Sequence, residues 1–196
     1  MFIVSIDIGI FNLGYASFYC EENRITNWKH LDKINIKEVT MNCRKPSCRF
    51  CHDKTFTDYI DHFCEMFSED FKNCDYVLLE RQPPAGFVVI QELILNKFRN
   101  KTKIVSPNSV HKFFGIGHLD YDNRKLASIE TARKTCPSFS NIKTERRHDI
   151  SDAICQAIYF VNNLPTAKPT IFEGWSHVRL DKSLDFTQFE YQQSIP

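Results

Sequence analysis

Met1-Phe-Ile-Val-Ser-Ile-Asp7-Ile-Gly9 is the stretch from which the rest of this 196-residue chain is read. Phe2, Val4 and Ile6 alternate with Ile3, Ser5 and Asp7, and most of the run is apolar and β-branched, which predicts a short strand buried on both faces. A carboxylate at the end of such a strand is costly unless something offsets its desolvation. Gly9 follows at once, and a residue without a Cβ lets a phosphate or a metal approach the backbone. Asp7 is therefore either a cap for the next turn or the first ligand of an acidic metal site whose other ligands lie further along.

Leu13 to Cys20 and Arg24 to His30 read as a second and third strand, with Glu21-Glu22-Asn23 as a hairpin turn. Residues 33–54 break the pattern and carry Cys43-x4-Cys48-x2-Cys51-His52 among basic residues. A helix is predicted from about Thr55 to Phe71, on the helical spacing of Phe56, Ile60, Phe63, Cys64, Phe67 and Phe71. Asp75 to Glu80 is the next buried strand; it too ends in a carboxylate and is stopped by Pro83-Pro84. Phe87 to Phe98 reads as a helix apolar nearly all round, 103–105 as a fifth strand, and Val110 to Gly117 as a short helix entering a glycine loop. Two further helices are predicted, Arg124 to Thr135 and Glu145 to Asn162.

Asp149 and Asp152 stand three apart on that last helix, so both lie on one face at the edge of the apolar stripe. Two like charges held so close repel, and a bound cation relieves them. Asp7, Glu80, Asp149 and Asp152 together make an all-oxygen donor set suited to Mg²⁺ or Mn²⁺. Two such ions per site can activate a water and stabilise a leaving oxygen in phosphodiester hydrolysis, with no nucleophilic side chain required.

Asp-Ile-Gly-x-x-Asn-x-Gly (Asp7 to Gly14), Leu-Leu-Glu-Arg-Gln-Pro (Leu78 to Pro83) and His-Asp-Ile-Ser-Asp-Ala (His148 to Ala153) resemble the motifs of poxvirus-type Holliday junction resolvases, which are similar to RuvC and belong to the ribonuclease H-like superfamily. The resemblance covers roughly residues 1–163. It implies an α/β, ribonuclease H-like fold, a five-stranded mixed sheet flanked by helices; the Cys-rich insertion at about 33–54 and the C-terminal tail at 164–196 depart from the family pattern. It also implies a Mg²⁺-dependent endodeoxyribonuclease of DNA recombination and repair that cuts four-way and related branched DNA junctions by symmetric paired nicks as a homodimer. Its catalytic carboxylates would be Asp7, Glu80, Asp149 and Asp152, and Lys125 would contact a phosphate near the scissile bond. The setting would be a virus-encoded protein in the infected host-cell cytoplasm. From the residues alone, RNA–DNA hybrids, flaps and branched DNA are all open as substrates.

Two rival readings share these features. One is a branched-DNA-binding module of the same fold without turnover, against which all four carboxylates count. The other is an actin- or sugar-kinase-like ATPase, which also opens on a strand, Asp and Gly but needs a second comparable domain and a further glycine-rich phosphate loop.

The bulk numbers agree with one domain. Charged residues at 25% and hydrophobic ones at 42% describe an ordinary globular chain. No apolar run approaches the roughly 20 residues that span a bilayer, and no basic leader precedes the first strand, so neither membrane nor secretion is expected. Net charge is only +1, but basic residues cluster at 44–54, 99–103, 124–125 and 143–147. Eight cysteines in such a chain point to reduced thiols or a metal site. Cys43, Cys48, Cys51 and His52 are the candidate ligands of a structural Zn²⁺, with Cys64 or Cys74 as alternatives for the fourth place. The helix 87–98 is the expected dimer interface, with Ile94 and Leu95 on its outward side.

Overall fold

A computed structural model describes residues 1–43 and 48–164. Arg44, Lys45 and the aromatic residues of the expected tail lie outside them. β1 (Phe2–Asp7), β2 (Leu13–Glu21) and β3 (Arg24–Ile34) come first, followed by α1 (Ile36–Met41), α2 (Phe56–Met66) and α3 (Ser68–Asn73). Then come β4 (Tyr76–Glu80), α4 (Val88–Lys97), β5 (Thr102–Val105), α5 (Pro107–Phe113), α6 (Tyr121–Thr135), a 3₁₀ turn (Pro137–Asn141) and α7 (Arg147–Asn162). The strands form one five-stranded sheet of order β3-β2-β1-β4-β5. β1 and β3 pair antiparallel with β2, while β1–β4 and β4–β5 are parallel. This is the mixed, ribonuclease H-like sheet that the motifs imply.

Alternation along β1 builds both sides of the core. Phe2, Val4 and Ile6 face Tyr59, Ile60 and Phe63 of α2 and Ile90 and Ile94 of α4. Ile3, with Leu78 of β4, packs on Cys155, Ala157 and Val161 of α7. The hairpin turn closes on Glu22 and Asn23, both at positive φ (47° and 60°), between the paired Glu21 and Arg24. That backbone matches the right-handed twist of its strands, and Asn tolerates it well. Among the described residues no helix is long and apolar enough to cross a membrane.

Four expectations are revised. β3 runs four residues beyond His30, because Leu31 to Ile34 continue the ladder on β2 as far as Leu13. The interrupted region 33–54 contains α1, capped by the Asn35 side chain on Glu38 N–H. The single helix expected over 55–71 breaks at Phe67, where α2 ends and α3 begins. The break seats Phe67 on Tyr15 (ring centroids 4.1 Å apart), Phe71 on Phe98 (4.5 Å), and Asp70 beneath β3. Finally, α4 turns Ile94 wholly inward and packs Leu95 partly against the same core; its outward apolar side chains are Phe87, just before the helix, and Val89. Ile94 therefore belongs to the core, and Ile94→Glu would bury an unpaired charge instead of opening an interface.

Asp70 forms a buried polar knot. It accepts from Tyr15 Oη (2.9 Å), Lys29 Nζ (2.6 Å) and His30 Nδ1 (2.8 Å). Burial alone would raise its carboxyl, but the bonds from Lys29, His30, Ser17 and Tyr15 outweigh it and hold the group at about 2. Because the folded value lies below the unfolded one, this contribution is complete above about pH 4 and is lost as pH falls toward 2. A carboxyl lowered this far contributes roughly 2 kcal/mol at neutral pH. Urea unfolding should therefore show Asp70→Asn destabilised by about that amount at pH 7, with the gap to wild type closing by pH 2. A gap independent of pH would refute this account.

Candidate active site

β1 and β4 run parallel, and Ile6 is paired with Leu79. Asp7 and Glu80, each one residue further on, therefore emerge side by side at the same sheet edge. α7 crosses this edge and is fastened by a buried polar clamp: Ser5 Oγ donates to Ala153 O (2.8 Å), and Gln156 Nε2 donates to Ser5 Oγ (3.1 Å) and Ile6 O (3.3 Å). The clamp explains the polar Ser5 inside an apolar strand. It also sets Asp152, one residue before Ala153, over the ends of the strands. α6 lies against α7, with Ser128 Oγ 3.2 Å from Ser151 Oγ, so that Lys125 meets Asp152 in an ion pair.

The result is a cleft of about 310 Å³ lined by Asp7, Glu80, Asp149, Asp152 and Lys125, with His111, Tyr121 and Arg124 on its α5–α6 side. Burial pushes the Asp7 carboxyl well above its usual range, and the charges of Glu80 and Asp152 push it further. Burial also raises Glu80; the Asp7 carboxyl, close enough to share a proton, lowers it, and Asp152 raises it. Burial alone would lower the Lys125 ammonium, but Asp152 and Asp7 hold it above its usual value. An acidic site in which the carboxyls resist ionising together is short of positive charge, which a divalent cation supplies. By the chemistry of its donors the cleft fits Mg²⁺ or Mn²⁺.

Asp149 is buried and turned toward Arg146 Nε (3.0 Å) and His148 Nε2 (3.3 Å), while still lining the cleft. Gly14 makes this possible. It is paired with Asp7 across β1–β2, and a Cβ there would fall 2.0 Å from the Asp149 carbonyl oxygen. Gly9 is needed for the loop that follows β1. A Cβ on it would fall 2.7 Å from Asn12 O, so its missing side chain makes room for a tight loop.

Sequence reasoning did not assign Gln82, whose Nε2 donates to Glu80 Oε2 (2.9 Å) while its Oε1 accepts from Phe87 N–H (3.2 Å). Its place in the Leu-Glu-Arg-Gln-Pro run, two residues after the carboxylate, was the available signal. His111 and Tyr121 had none, because only the folding of α5 and α6 over the sheet edge brings them there.

Of the expected zinc ligands, Cys43, Cys48 and His52 come together, but Cys51 is exposed and stands apart. Cys64 packs against the core and is pushed up to about 12 by burial, and Cys74 is buried in that core. The fourth group is His62 of α2, which the spacing of the cysteine segment could not indicate.

The family model described as Poxvirus A22 protein matches residues 1–164. The chain belongs to this family. No curated protein sequence was found to match it. In fold, this A22-family chain is similar to the fowlpox virus resolvase solved with substrate Holliday junction DNA, at 21% identity and a TM-score of 0.58, over 82% of this chain and 97% of that one. It is also similar to the yeast mitochondrial Holliday junction resolvase, at 14% identity and a TM-score of 0.56, over 81% and 78%. The resemblance drawn from the three motifs is borne out in family and in fold.

Proposed function

We propose that this A22-family chain is a divalent-metal-dependent, structure-selective endonuclease that resolves four-way and related branched DNA junctions by symmetric paired nicks. The observation that carries this reading is the convergence of Asp7, Glu80, Asp149 and Asp152 with Lys125 on one cleft. The junction as substrate is supported by the family and by relatives of the same fold whose substrate is the Holliday junction.

Asp7, Glu80, Asp149 and Asp152 would hold Mg²⁺ or Mn²⁺, two ions to a site, which when bound polarise the scissile phosphate and activate water. Gln82 orients Glu80 through the 2.9 Å bond to its Oε2. Lys125, held at the cleft by Asp152 and lying 5.4 Å from the centre of the Tyr121 ring, is placed to receive a phosphate oxygen. Arg124 adds charge on the same wall, and such phosphate contacts supply affinity without reading sequence. The direct test is incubation of the purified chain with a synthetic four-way junction and Mg²⁺. Paired nicks on opposing strands are expected; junction binding without cleavage in either Mg²⁺ or Mn²⁺ would favour the non-catalytic module.

Two symmetric nicks call for two sites related by a two-fold axis, so the active form is a homodimer. The outward apolar side of α4 supplies the interface, with Phe87 and Val89 exposed by 41% and 55%. Val89→Glu is expected to leave the fold intact, shift the sedimenting species from dimer to monomer and convert paired cuts on a cruciform plasmid into single nicks. Wild-type protein that stays monomeric on junction DNA yet still makes paired cuts would rule this out.

A further inference from the structure

We infer that Cys43, Cys48, His52 and His62 bind one structural Zn²⁺, at a site separate from the acidic cleft. Each residue offers a ligand atom, and the four atoms lie within 4.8 Å of one another. With Zn–S near 2.3 Å and Zn–N near 2.05 Å, a tetrahedral centre requires about 3.3 Å between nitrogens and about 3.6 Å between sulfur and nitrogen. His52 Nε2 and His62 Nε2 are 3.1 Å apart, and Cys48 Sγ is 3.5 Å from His62 Nε2.

The orientation of the His62 ring makes the case stronger. His62 is buried, and its Nδ1 lies 2.7 Å from the Asp58 carbonyl oxygen one turn earlier in α2. A carbonyl only accepts, so Nδ1 carries the hydrogen and Nε2 is the ring atom turned to the cluster. Both Cys48 Sγ and His52 Nε2 converge on that one atom. A cation at the centre takes all the lone pairs at once. The carbonyl that fixes the His62 ring is the outer partner that metal-bound histidines regularly have. Two thiolates and two imidazoles in this arrangement select Zn²⁺ over the hard ions of the acidic cleft.

The ligands explain why Cys51 is left out. His52 follows it directly, and adjacent side chains on a non-helical backbone diverge, so only one of the two can point at the centre. They also give the insertion a purpose. His62 belongs to α2, which packs on the sheet, while the cysteines and His52 belong to the segment that precedes it. The other end of that segment is tied to the loop after Asp7, because Ile36 N–H donates to Ile10 O (3.0 Å). Zinc would cross-link a stretch that has little core of its own.

Full-length protein purified without added metal or chelator should contain close to one zinc per chain by plasma mass spectrometry. After exchange, Co²⁺ should give the ligand-field bands of a tetrahedral centre together with thiolate charge transfer. Cys48→Ser and His62→Ala should each weaken zinc binding by about a hundredfold or more, whereas Cys51→Ser should retain full zinc and the same Co²⁺ spectrum. A thiol-selective chelator should lower the melting temperature of the wild type, and added zinc should restore it. Substoichiometric zinc in the wild type with no tetrahedral Co²⁺ spectrum would overturn the assignment, as would loss of zinc in Cys51→Ser equal to that in Cys48→Ser. All these readings are made without DNA, so they stand or fall independently of junction cleavage.

Discussion

Asp7→Asn is expected to abolish junction cleavage while leaving junction binding nearly intact. Asp7 lies at the centre of the acidic group, with Glu80 and Asp152 as its nearest charges. The amide keeps the shape but removes the negative charge that would hold a cation there. Withdrawing about 4 kcal/mol of charge stabilisation lowers the rate about a thousandfold. On the proposed function, affinity would rest mostly on phosphate contacts outside the carboxylates, and losing a negative charge would not weaken those. Glu80→Gln, Asp149→Asn and Asp152→Asn should behave alike. Single-turnover cleavage and gel-shift titration, run side by side on the same junction, check this. Wild-type rates in any two of the four variants would remove the assignment.

Gly14→Ala is expected to damage both stability and activity from a position that offers no chemistry at all. The added methyl would lie 2.0 Å from the Asp149 carbonyl oxygen and 3.2 Å from Asp7 Cβ. Neither neighbour is the free end of a flexible chain, so the first turn of α7 must lift from β2 or the strand must bend. Overpacking against backbone costs about 3 kcal/mol or more. Displacing Asp149 by even 1 Å costs about a hundredfold in rate. Gly117 provides the control, since a Cβ there finds its nearest neighbour at 3.8 Å and Gly117→Ala should be nearly silent. Urea midpoints and cleavage rates of the two variants decide the matter, and a Gly14→Ala protein with wild-type values for both would refute the account.

Much of this was legible because it depends on short-range pattern. The largely apolar runs of β1 and β4, each closed by a carboxylate, marked buried strands with something to hold at their ends. The i, i+3 spacing of Asp149 and Asp152 marked a helix edge facing the same way. The turn at Glu22-Asn23 and the stop at Pro83-Pro84 are likewise local choices of backbone conformation. Phe67 shows where such reading ends. A periodic apolar stripe ran through it, yet the helix breaks there because Tyr15 and Phe98, remote in sequence, claim the neighbouring rings.

The sequence by itself determined most of the elements, the two buried strands that end in carboxylates and the family to which they point, since each follows from period, propensity and motif. Tertiary structure alone decided that Ile94 lies inward, that Gly14 is the seat of Asp149, that Gln82 holds Glu80, and that His62 takes the place expected for Cys51. The physical reason is the same in each case. Which side of a helix is buried, and which atoms meet, depends on surfaces contributed by residues tens of positions away, and no local pattern in the chain encodes that distance.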